Sequence, residues 1–231
     1  MQHVIKYEPT FPMLQVALQP GETLVSEAGA MVARAANVTM EVHLQAPASS
    51  GFFGKMKAVL IAMVRKLVGG ETMFVNHFKA PGGGWVWLAP AMSGSLRHIA
   101  MQGQKLMLTA GSYVASAGNI DLALRWGGLR AIFAREGAFF VEASGVGDMW
   151  INSYGAIEEI YVNGTYIVDN GHLVAFDSSL QFNIRTPGGG LMGLFASGEG
   201  LVCEFTGQGR VLIQTRNTQT LVSWLSRLLP P

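Results

Sequence analysis

The sequence predicts an all-β fold in which one motif occurs three times, with two helices outside that pattern. Hydrophobic residues make up 49% of the 231 residues and charged residues 13%, which is the balance of a chain with a packed core. Glycine occurs 29 times, which suits a fold with many tight turns. Apolar runs at 155–168 and 180–184 alternate and are rich in β-branched and aromatic residues, as strands are.

A glycine next to a glutamate, followed by an apolar run and a second glycine-rich step, recurs at 70–84, 136–147 and 199–209. A further apolar run follows each copy, at 85–88, 149–151 and 211–213. A strand, a glycine-rich turn and a returning strand are typical of a β-hairpin. The pattern therefore predicts three hairpins, one in each copy of the motif.

A second pattern precedes each hairpin. A turn leads to a leucine, and a second large apolar residue follows seven positions later, as in Leu24 and Met31, Leu106 and Tyr113, and Leu173 and Leu180. We therefore divide the chain into repeats at 1–94, 95–155 and 156–231, which we expect to form one compact globule. Such a small unit exposes an apolar sheet face alone, and stacking three copies buries it.

Helical periodicity occurs in two places. The first, at 53–68, has a stripe of methionine, leucine and valine opposite a basic face. It is the helix inserted into the first repeat, and packing of its stripe on the same chain is the favoured interpretation. The alternative is a membrane surface or a protein partner, with four candidate binding residues: Lys55, Lys57, Arg65 and Lys66. The second helix, at 218–229, follows a cap at Asn217 and carries an apolar stripe of its own, Leu221, Trp224, Leu225 and Leu228.

Charge and cysteine content exclude several classes of protein. The net charge of +1 gives no long-range attraction to polyanions, so nucleic acid is not an expected partner. Cys203 is the one cysteine, which excludes an internal disulfide and a multi-cysteine metal cluster. The first ten residues have no signal-peptide core, and the apolar stretch 58–68 is too short to span a bilayer. We therefore expect a cytoplasmic protein.

No motif indicates an enzyme, a metal or a cofactor. Gly188, Gly190 and Gly193 have the spacing of a dinucleotide fingerprint, but further glycines interrupt any following helix and no acidic residue stands where a ribose partner is expected. The five histidines form no HxH or HExxH motif. We therefore predict no catalytic residue and no cofactor.

Asp169 and His172 flank a predicted turn and are the remaining candidate binding residues. Their spacing places an acid near an imidazole. An aspartate that stabilises a turn through its own side chain explains Asp169 equally well and is the favoured interpretation.

Six stretches occur together and in a fixed order along the chain. They are Leu18-x-Pro20-Gly21-Glu22, Ser26-Glu27-Ala28-Gly29-Ala30-Met31, Gly69-Gly70-Glu71-x-x-Phe74-x-Asn76-x-Phe78, Val168-Asp169-x-Gly171-His172-Leu173-Val174-Ala175, Gly198-Glu199-Gly200-Leu201-Val202-x-x-Phe205-x-Gly207-x-Gly209 and Gln214-Thr215-Arg216. With these stretches the sequence resembles the mitochondrial-biogenesis family named for altered inheritance of mitochondria. The resemblance implies a fold like that of the Trp RNA-binding attenuation protein (TRAP-like), with small β-sandwich units, and we expect three of them around a pseudo-threefold axis. It implies no catalytic residues.

The function expected from these observations is a non-catalytic scaffold or binding module. Low charge, high apolar content and two amphipathic helices favour self-association into a homo-oligomer. The alternative is binding of RNA or a small ligand, by analogy with the attenuation-protein fold. An enzyme ranks third, because no set of nucleophile, base and orienting group is visible.

Overall fold

The computed structural model describes residues 1–44, 74–109, 111–126, 139–186 and 201–228. In these ranges the protein is predominantly β, with one short 3-10 turn and one α-helix. The fifteen strands are β1 Gln2–Lys6, β2 Met13–Leu18, β3 Thr23–Glu27, β4 Met31–Arg34, β5 Thr39–Leu44, β6 Phe74–Lys79, β7 Gly84–Leu88, β8 Leu96–Gln102, β9 Leu106–Thr109, β10 Tyr113–Trp126, β11 Phe139–Asn152, β12 Ile157–Asp169, β13 Leu173–Asp177, β14 Gln181–Arg185 and β15 Val202–Gln214. The helix is α1, Thr218–Ser226.

The strands form two antiparallel sheets. The small sheet has four strands in the order β1-β2-β7-β4. The large sheet has eleven strands, nine of them in the order β12-β15-β13-β9-β11-β10-β3-β6-β5, while β14 pairs with β15 and β8 pairs with β11. The strands between residues 1 and 88 contribute to both sheets, and the later described strands all lie in the large sheet.

The predicted hairpin of the first repeat is wrong. β6 pairs with β3 and β5 in the large sheet, whereas β7 pairs with β2 and β4 in the small sheet. The turn between them, which contains Gly82 and Gly83, therefore moves the chain from one sheet to the other. Pairing with strands earlier in the chain outweighs the local hairpin signal.

The predicted hairpins of the second and third repeats are also wrong, because β11 and β15 each continue as one strand past their glycines and do not turn back. Gly145 has φ +113°, and a Cβ atom there would lie 2.0 Å from the carbonyl oxygen of Asn119 on β10. Glycine thus lets β11 bend while it stays paired with β10 along its whole length. The third repeat has a similar arrangement of glycines in paired strands, with Gly164 of β12 opposite Gly207 of β15.

Three clusters of buried apolar side chains form the core. The first lies under the small sheet, the second under the middle of the large sheet, and the third around β13 to β15. Trp150 belongs to β11, yet it is fully buried in the first cluster. In the third cluster, the ring of Phe205 lies 5.0 Å from that of Phe176 and 5.5 Å from that of Phe182, between ring centroids.

Several predicted elements are confirmed. β12 and β14 correspond to the predicted runs at 155–168 and 180–184. α1 follows Asn217, whose side-chain oxygen accepts hydrogen bonds from the main-chain N–H groups of Gln219 and Thr220, at 2.8 and 3.3 Å. The predicted helix at 53–68, with Lys55, Lys57, Arg65 and Lys66, lies outside the described residues. Within the described ranges, no helix has the length and apolar character needed to cross a membrane.

Candidate functional site

Asp169 and His172 lie at the two ends of the 3-10 turn that connects β12 to β13, Asp169 as its N-cap and His172 as its last residue. The Asp169 carboxylate accepts a hydrogen bond of 2.8 Å from the main-chain N–H of Gly171. His172 Nδ1 lies 2.7 Å from the main-chain oxygen of Gln214. The acid and the imidazole thus have separate partners: the Asp169 contact lies within the turn, and the His172 contact holds the turn against β15. The favoured interpretation of Asp169 as a turn-stabilising residue agrees with this geometry, and a binding role for the two residues stays a prediction.

A histidine cluster that the sequence reasoning missed lies where the two sheets meet. His98 Nε2 on β8 is 2.7 Å from an Asp148 carboxylate oxygen on β11. The ring of His3, on β1 of the small sheet, has its centroid 4.5 Å from that of His98 and 5.1 Å from that of Trp150. The indole Nε1 of Trp150 is buried and has no hydrogen-bond partner among the described residues.

The charge state of this cluster is set by burial and by neighbouring charges. Burial lowers the pKa of His3, and the positive charge on His98 lowers it further, while Asp148 acts in the opposite direction. Among the described residues, no group of three His, Cys, Asp or Glu side chains has a geometry suited to a metal ion. The cluster connects β1 of the small sheet to β8 and β11 of the large sheet.

A second histidine pair lies at the free edge of the large sheet. The rings of His43 on β5 and His77 on β6 have centroids 4.2 Å apart. Glu41, on the same face of β5, accepts a 2.7 Å hydrogen bond from Lys79. Burial and the charges of His43 and Lys79 lower the pKa of His77. This pair lies on the surface, and Glu41 and His43 are each about half exposed at 50% and 48%.

The outer face of the small sheet carries two tryptophans. Trp85 and Trp87 are two positions apart on β7, with ring centroids 4.9 Å apart. In the strand register, Ala17 lies opposite Trp85 and Gln15 lies opposite Trp87. Trp85 is 40% exposed. The face is aromatic where these two rings lie.

Four chain segments meet at one end of the protein, which we call the linker end: the β1–β2 loop at 7–12 and the segments at 93–95, 153–156 and 215–217. Main-chain hydrogen bonds join them in series, from Gly94 N to Thr10 O, from Ser95 N to Gly155 O and from Arg216 N to Tyr154 O, at 2.9, 2.8 and 3.2 Å. Gly94 is packed so closely that a Cβ atom there would lie 2.1 Å from the oxygen of Ser153. α1 begins directly beyond these segments.

Large apolar side chains are exposed on the β1–β2 loop of the linker end and on α1, which follows its last segment. No residue of α1 is buried. On the helix and just after it, Trp224, Leu225 and Leu228 are 57%, 40% and 64% exposed. On the β1–β2 loop, Tyr7 and Phe11 are 67% and 72% exposed. The sequence predicted the helix and its apolar stripe, whereas the exposure of Tyr7 and Phe11 depends on how the loop packs against Gly94.

The fold and its surface define the class of protein. It is a protein of two antiparallel sheets, and the described surface exposes several large apolar and aromatic side chains. The mitochondrial biogenesis AIM24 family matches residues 3–216, and the chain belongs to this family. The resemblance found in the sequence is thus confirmed, while the likeness to the attenuation-protein fold stays a prediction.

Two streptococcal proteins are similar to this chain. An uncharacterised protein of Streptococcus pyogenes serotype M6 is 30% identical over 233 residues, covering 100% of this chain and 92% of the relative. The crystal structure of another Streptococcus pyogenes protein, a structural genomics target, matches with a TM-score of 0.79 at 27% identity and covers 99% of both chains. Neither comparison indicates an enzyme family.

Proposed function

We propose that this protein is a non-catalytic scaffold that self-associates through the apolar side chains of its linker end. The observation that carries the proposal is α1, whose apolar stripe is exposed along most of its length. An isolated helix shorter than about 12 residues is marginal in water, and packing of its apolar face normally supplies the missing stability. A helix of this kind therefore needs a surface to dock against.

The polar clusters support a structural rather than a catalytic role. Arg210 on β15 makes two hydrogen bonds to the Asp177 carboxylate, at 3.1 and 3.0 Å, and tethers β13 to β15. Glu142 accepts hydrogen bonds from Arg125 at 3.2 and 2.9 Å, which lowers the pKa of the carboxyl group. These charges are paired within the sheet, which leaves the apolar surface as the feature available to a partner.

The three-repeat arrangement, with boundaries at 1–94, 95–155 and 156–231, is part of this proposal. In the second segment, β8 and β9 pair with opposite halves of β11, and β10 pairs with its whole length. In the third, β13 and β14 pair with opposite halves of β15, and β12 pairs with its whole length. In the first segment, β6 pairs with β3 and β5, and β7 pairs with β2 and β4. Two strands of the first segment therefore correspond to the single strand β11 of the second and β15 of the third. This shared scheme supports TRAP-like units related by a pseudo-threefold axis.

The strand pairing corrects one alignment within the repeats. Leu24 and Leu106 lie on strands that pair with β6 and with the N-terminal half of β11. Leu173 instead pairs with Ile213, in the C-terminal half of β15. The equal seven-residue step therefore aligns Leu173 with a strand that is one position too early in the other two units. In the third unit, the bend that corresponds to the one in β11 lies at Gly164 and Gly207.

Sedimentation of the full-length protein at micromolar concentration tests the scaffold. We expect a species larger than the 24.8 kDa monomer. Capture from native lysate, read by mass spectrometry, shows whether other proteins bind as well. A 24.8 kDa monomer that captures no partner contradicts the proposal.

A further inference from the structure

We propose that α1 packs antiparallel against α1 of a second copy, so that the linker end is the self-association surface of a two-fold dimer. The inference rests on the proposed function and identifies the partner and the residues of its surface. It follows from the geometry of the apolar stripe, from its lack of charge and from the contacts that anchor the helix.

The stripe is self-complementary. At 100° per residue, Leu221, Trp224, Leu225 and Leu228 fall within an arc of about 100°, which is the width of a typical helix contact. In an antiparallel pair, Leu221 lies beside Leu228 of the second copy, and Trp224 and Leu225 meet their counterparts near the two-fold axis. A two-fold contact of this kind uses the same patch on both chains and closes on itself.

The charge of the helix favours a second copy over a lipid surface. α1 has no acidic residue in its first turn and no basic residue in its last turn. Its polar positions are Thr218, Gln219, Thr220, Ser223 and Ser226, and the one charged side chain between Thr218 and Leu228 is Arg227 at the C-cap. In an antiparallel pair the two Arg227 residues lie at opposite ends of the contact, so they do not face each other. Helices that lie on anionic membranes normally carry rows of lysine and arginine on the polar face. A single arginine at the end of α1 does not supply this electrostatic attraction.

The area that a stable dimer interface buries indicates that the neighbouring β1–β2 loop contributes to the contact. A specific interface buries about 800 Å² on each partner, more than the four stripe residues of one short helix supply. Tyr7 and Phe11 expose most of their surface on the loop that bonds to Gly94 through Thr10. Gly94 in turn pairs with Gly155, and the adjacent Tyr154 bonds to Arg216 at the root of α1. The aromatic loop and the helix are thus anchored to one framework, and the loop adds apolar surface to that of the helix.

Another exposed feature suited to self-association is the edge of β12, which pairs on one side only among the described strands. That edge is bent where Gly164, at φ +109°, lies opposite Gly207, at φ +123°. Bends of this type discourage the addition of a further strand. The helix is therefore the better candidate for the dimer contact.

Full-length variants test the contact in sedimentation equilibrium. Trp224→Ser combined with Leu228→Ser is expected to raise the dimer dissociation constant at least about 30-fold, because a buried aromatic anchor dominates such interfaces. Val222→Ser is the matched control. Val222 is 63% exposed on the same helix, but it lies outside the stripe, and this variant is expected to stay dimeric. Thermal melting should be unchanged in all three proteins at a concentration where each is monomeric.

A cross-link gives a positive signal that does not depend on weakened binding. Leu225→Cys places a thiol near the two-fold axis and is expected to form an intermolecular disulfide under mild oxidation. Ser223→Cys, on the opposite side of the helix, is the control and is expected to remain a monomer under denaturing conditions. The native Cys203 is buried and does not compete.

The outcomes separate this inference from the scaffold proposal. A wild-type protein that is monomeric and captures no partner overturns both. A dimer that persists in the Trp224→Ser, Leu228→Ser double variant, or a dimer lost equally in Val222→Ser, overturns the helix contact and leaves the scaffold. A monomeric wild type that floats with phosphatidylcholine and phosphatidylglycerol vesicles, and loses flotation in the double variant, assigns the stripe to a membrane and overturns the dimer.

Discussion

The imidazole rings of His3 and His98 lie with their centroids 4.5 Å apart and connect the edge strand of the small sheet to the large sheet. His98 is held by Asp148 at 2.7 Å, and Trp150 lies beneath both rings in the core. The N-terminal ammonium of Met1, 3.5 Å from Glu22, adds a further positive charge near His3. The junction of the two sheets therefore contains one imidazole, that of His3, whose pKa is lowered by burial and by neighbouring positive charge.

Acidification is expected to destabilise the fold through His3. Burial, followed by the charge on His98, lowers the pKa of His3 below its ordinary value of 6.5 in the folded protein. As the pH falls, the unfolded chain therefore takes up this proton first, and the stability present above pH 6.5 is lost as the pH passes through the folded-state pKa. Melting temperatures between about pH 5 and pH 8 measure the effect.

The variant that tests this prediction is His3→Gln, which should flatten the pH dependence of the melting temperature. His77 also has a lowered pKa, caused by burial and the charges of His43 and Lys79, so a His3→Gln, His77→Gln double variant should flatten it further. An unchanged slope in His3→Gln would show that the contact between the sheets is not proton-linked.

The aromatic cluster of the third core predicts a large packing effect at Phe205. Its side chain is fully buried and contacts the rings of Phe176 and Phe182. Phe205→Ala leaves a cavity and should lower the free energy of unfolding by about 3–5 kcal/mol. Tyr161→Ala, at a position 71% exposed, is the control and should change it by less than about 0.5 kcal/mol. Equal effects in urea unfolding would contradict the assignment of this core.

Local chemistry predicted the elements better than their pairing. The alternation in β12 and the Asn217 cap of α1 are properties of neighbouring residues, and both are confirmed. The glycines in β11 have the composition of a hairpin turn, but they act as a bend because β10 supplies a partner along the whole strand. The choice between a turn and a bend depends on strands distant in sequence, which a local pattern does not contain.

The same limit applies to the candidate sites. The bond from Gly171 to Asp169 spans two residues, so turn chemistry was enough to predict it. His3, His98 and Asp148 meet only because β1 of one sheet packs against β8 and β11 of the other. No spacing within the sequence indicates that contact. The stripe of α1 was visible as a pattern, whereas its exposure depends on the absence of contact with the rest of the described chain.

The junction between the first two segments predicts a sharp difference between two glycines. A Cβ atom on Gly94 would lie 2.1 Å from Ser153 O and 2.6 Å from Gly155 N, both backbone atoms that cannot move independently. Gly94→Ala should therefore cost about 1–3 kcal/mol or more of unfolding free energy. Gly82 has no atom within 4 Å of such a Cβ, and Gly82→Ala is expected to be neutral or slightly stabilising. Comparable losses in chemical denaturation would refute this packing.

Asp169 provides a test of the turn between β12 and β13. Asp169→Ala removes the acceptor for the Gly171 N–H and should lower the free energy of unfolding by about 0.5–2 kcal/mol. Asp169→Ser keeps a side-chain oxygen at the cap and should recover most of that loss. If serine behaves like alanine, the aspartate has a role other than holding the turn, and its candidacy as a binding residue gains support.

The final prediction concerns RNA. A pair of aromatic rings that could stack on bases lies on the outer face of the small sheet, where Trp85 and Trp87 lie beside Ala17 and Gln15. Single-strand binding combines such platforms with a basic groove along the backbone, and its affinity falls steeply with salt. The nearest cation in the strand register is Arg34 on β4, opposite Val86, and its guanidinium donates hydrogen bonds to the main-chain oxygens of Ala35 and Val38. A single arginine engaged with its own chain is not a basic groove.

We therefore expect no tight, salt-sensitive binding of RNA. Filter binding of random-sequence RNA across a salt series is the measurement, with a Trp85→Ala, Trp87→Ala variant as the control for stacking on this face. Weak retention that is the same in both proteins agrees with the scaffold. Nanomolar retention that falls as salt rises, and is lost in the double variant, would instead identify this face of the small sheet as a nucleic-acid surface. The self-association of the linker end would then be a separate property, because α1 and the tryptophans lie on different parts of the described chain.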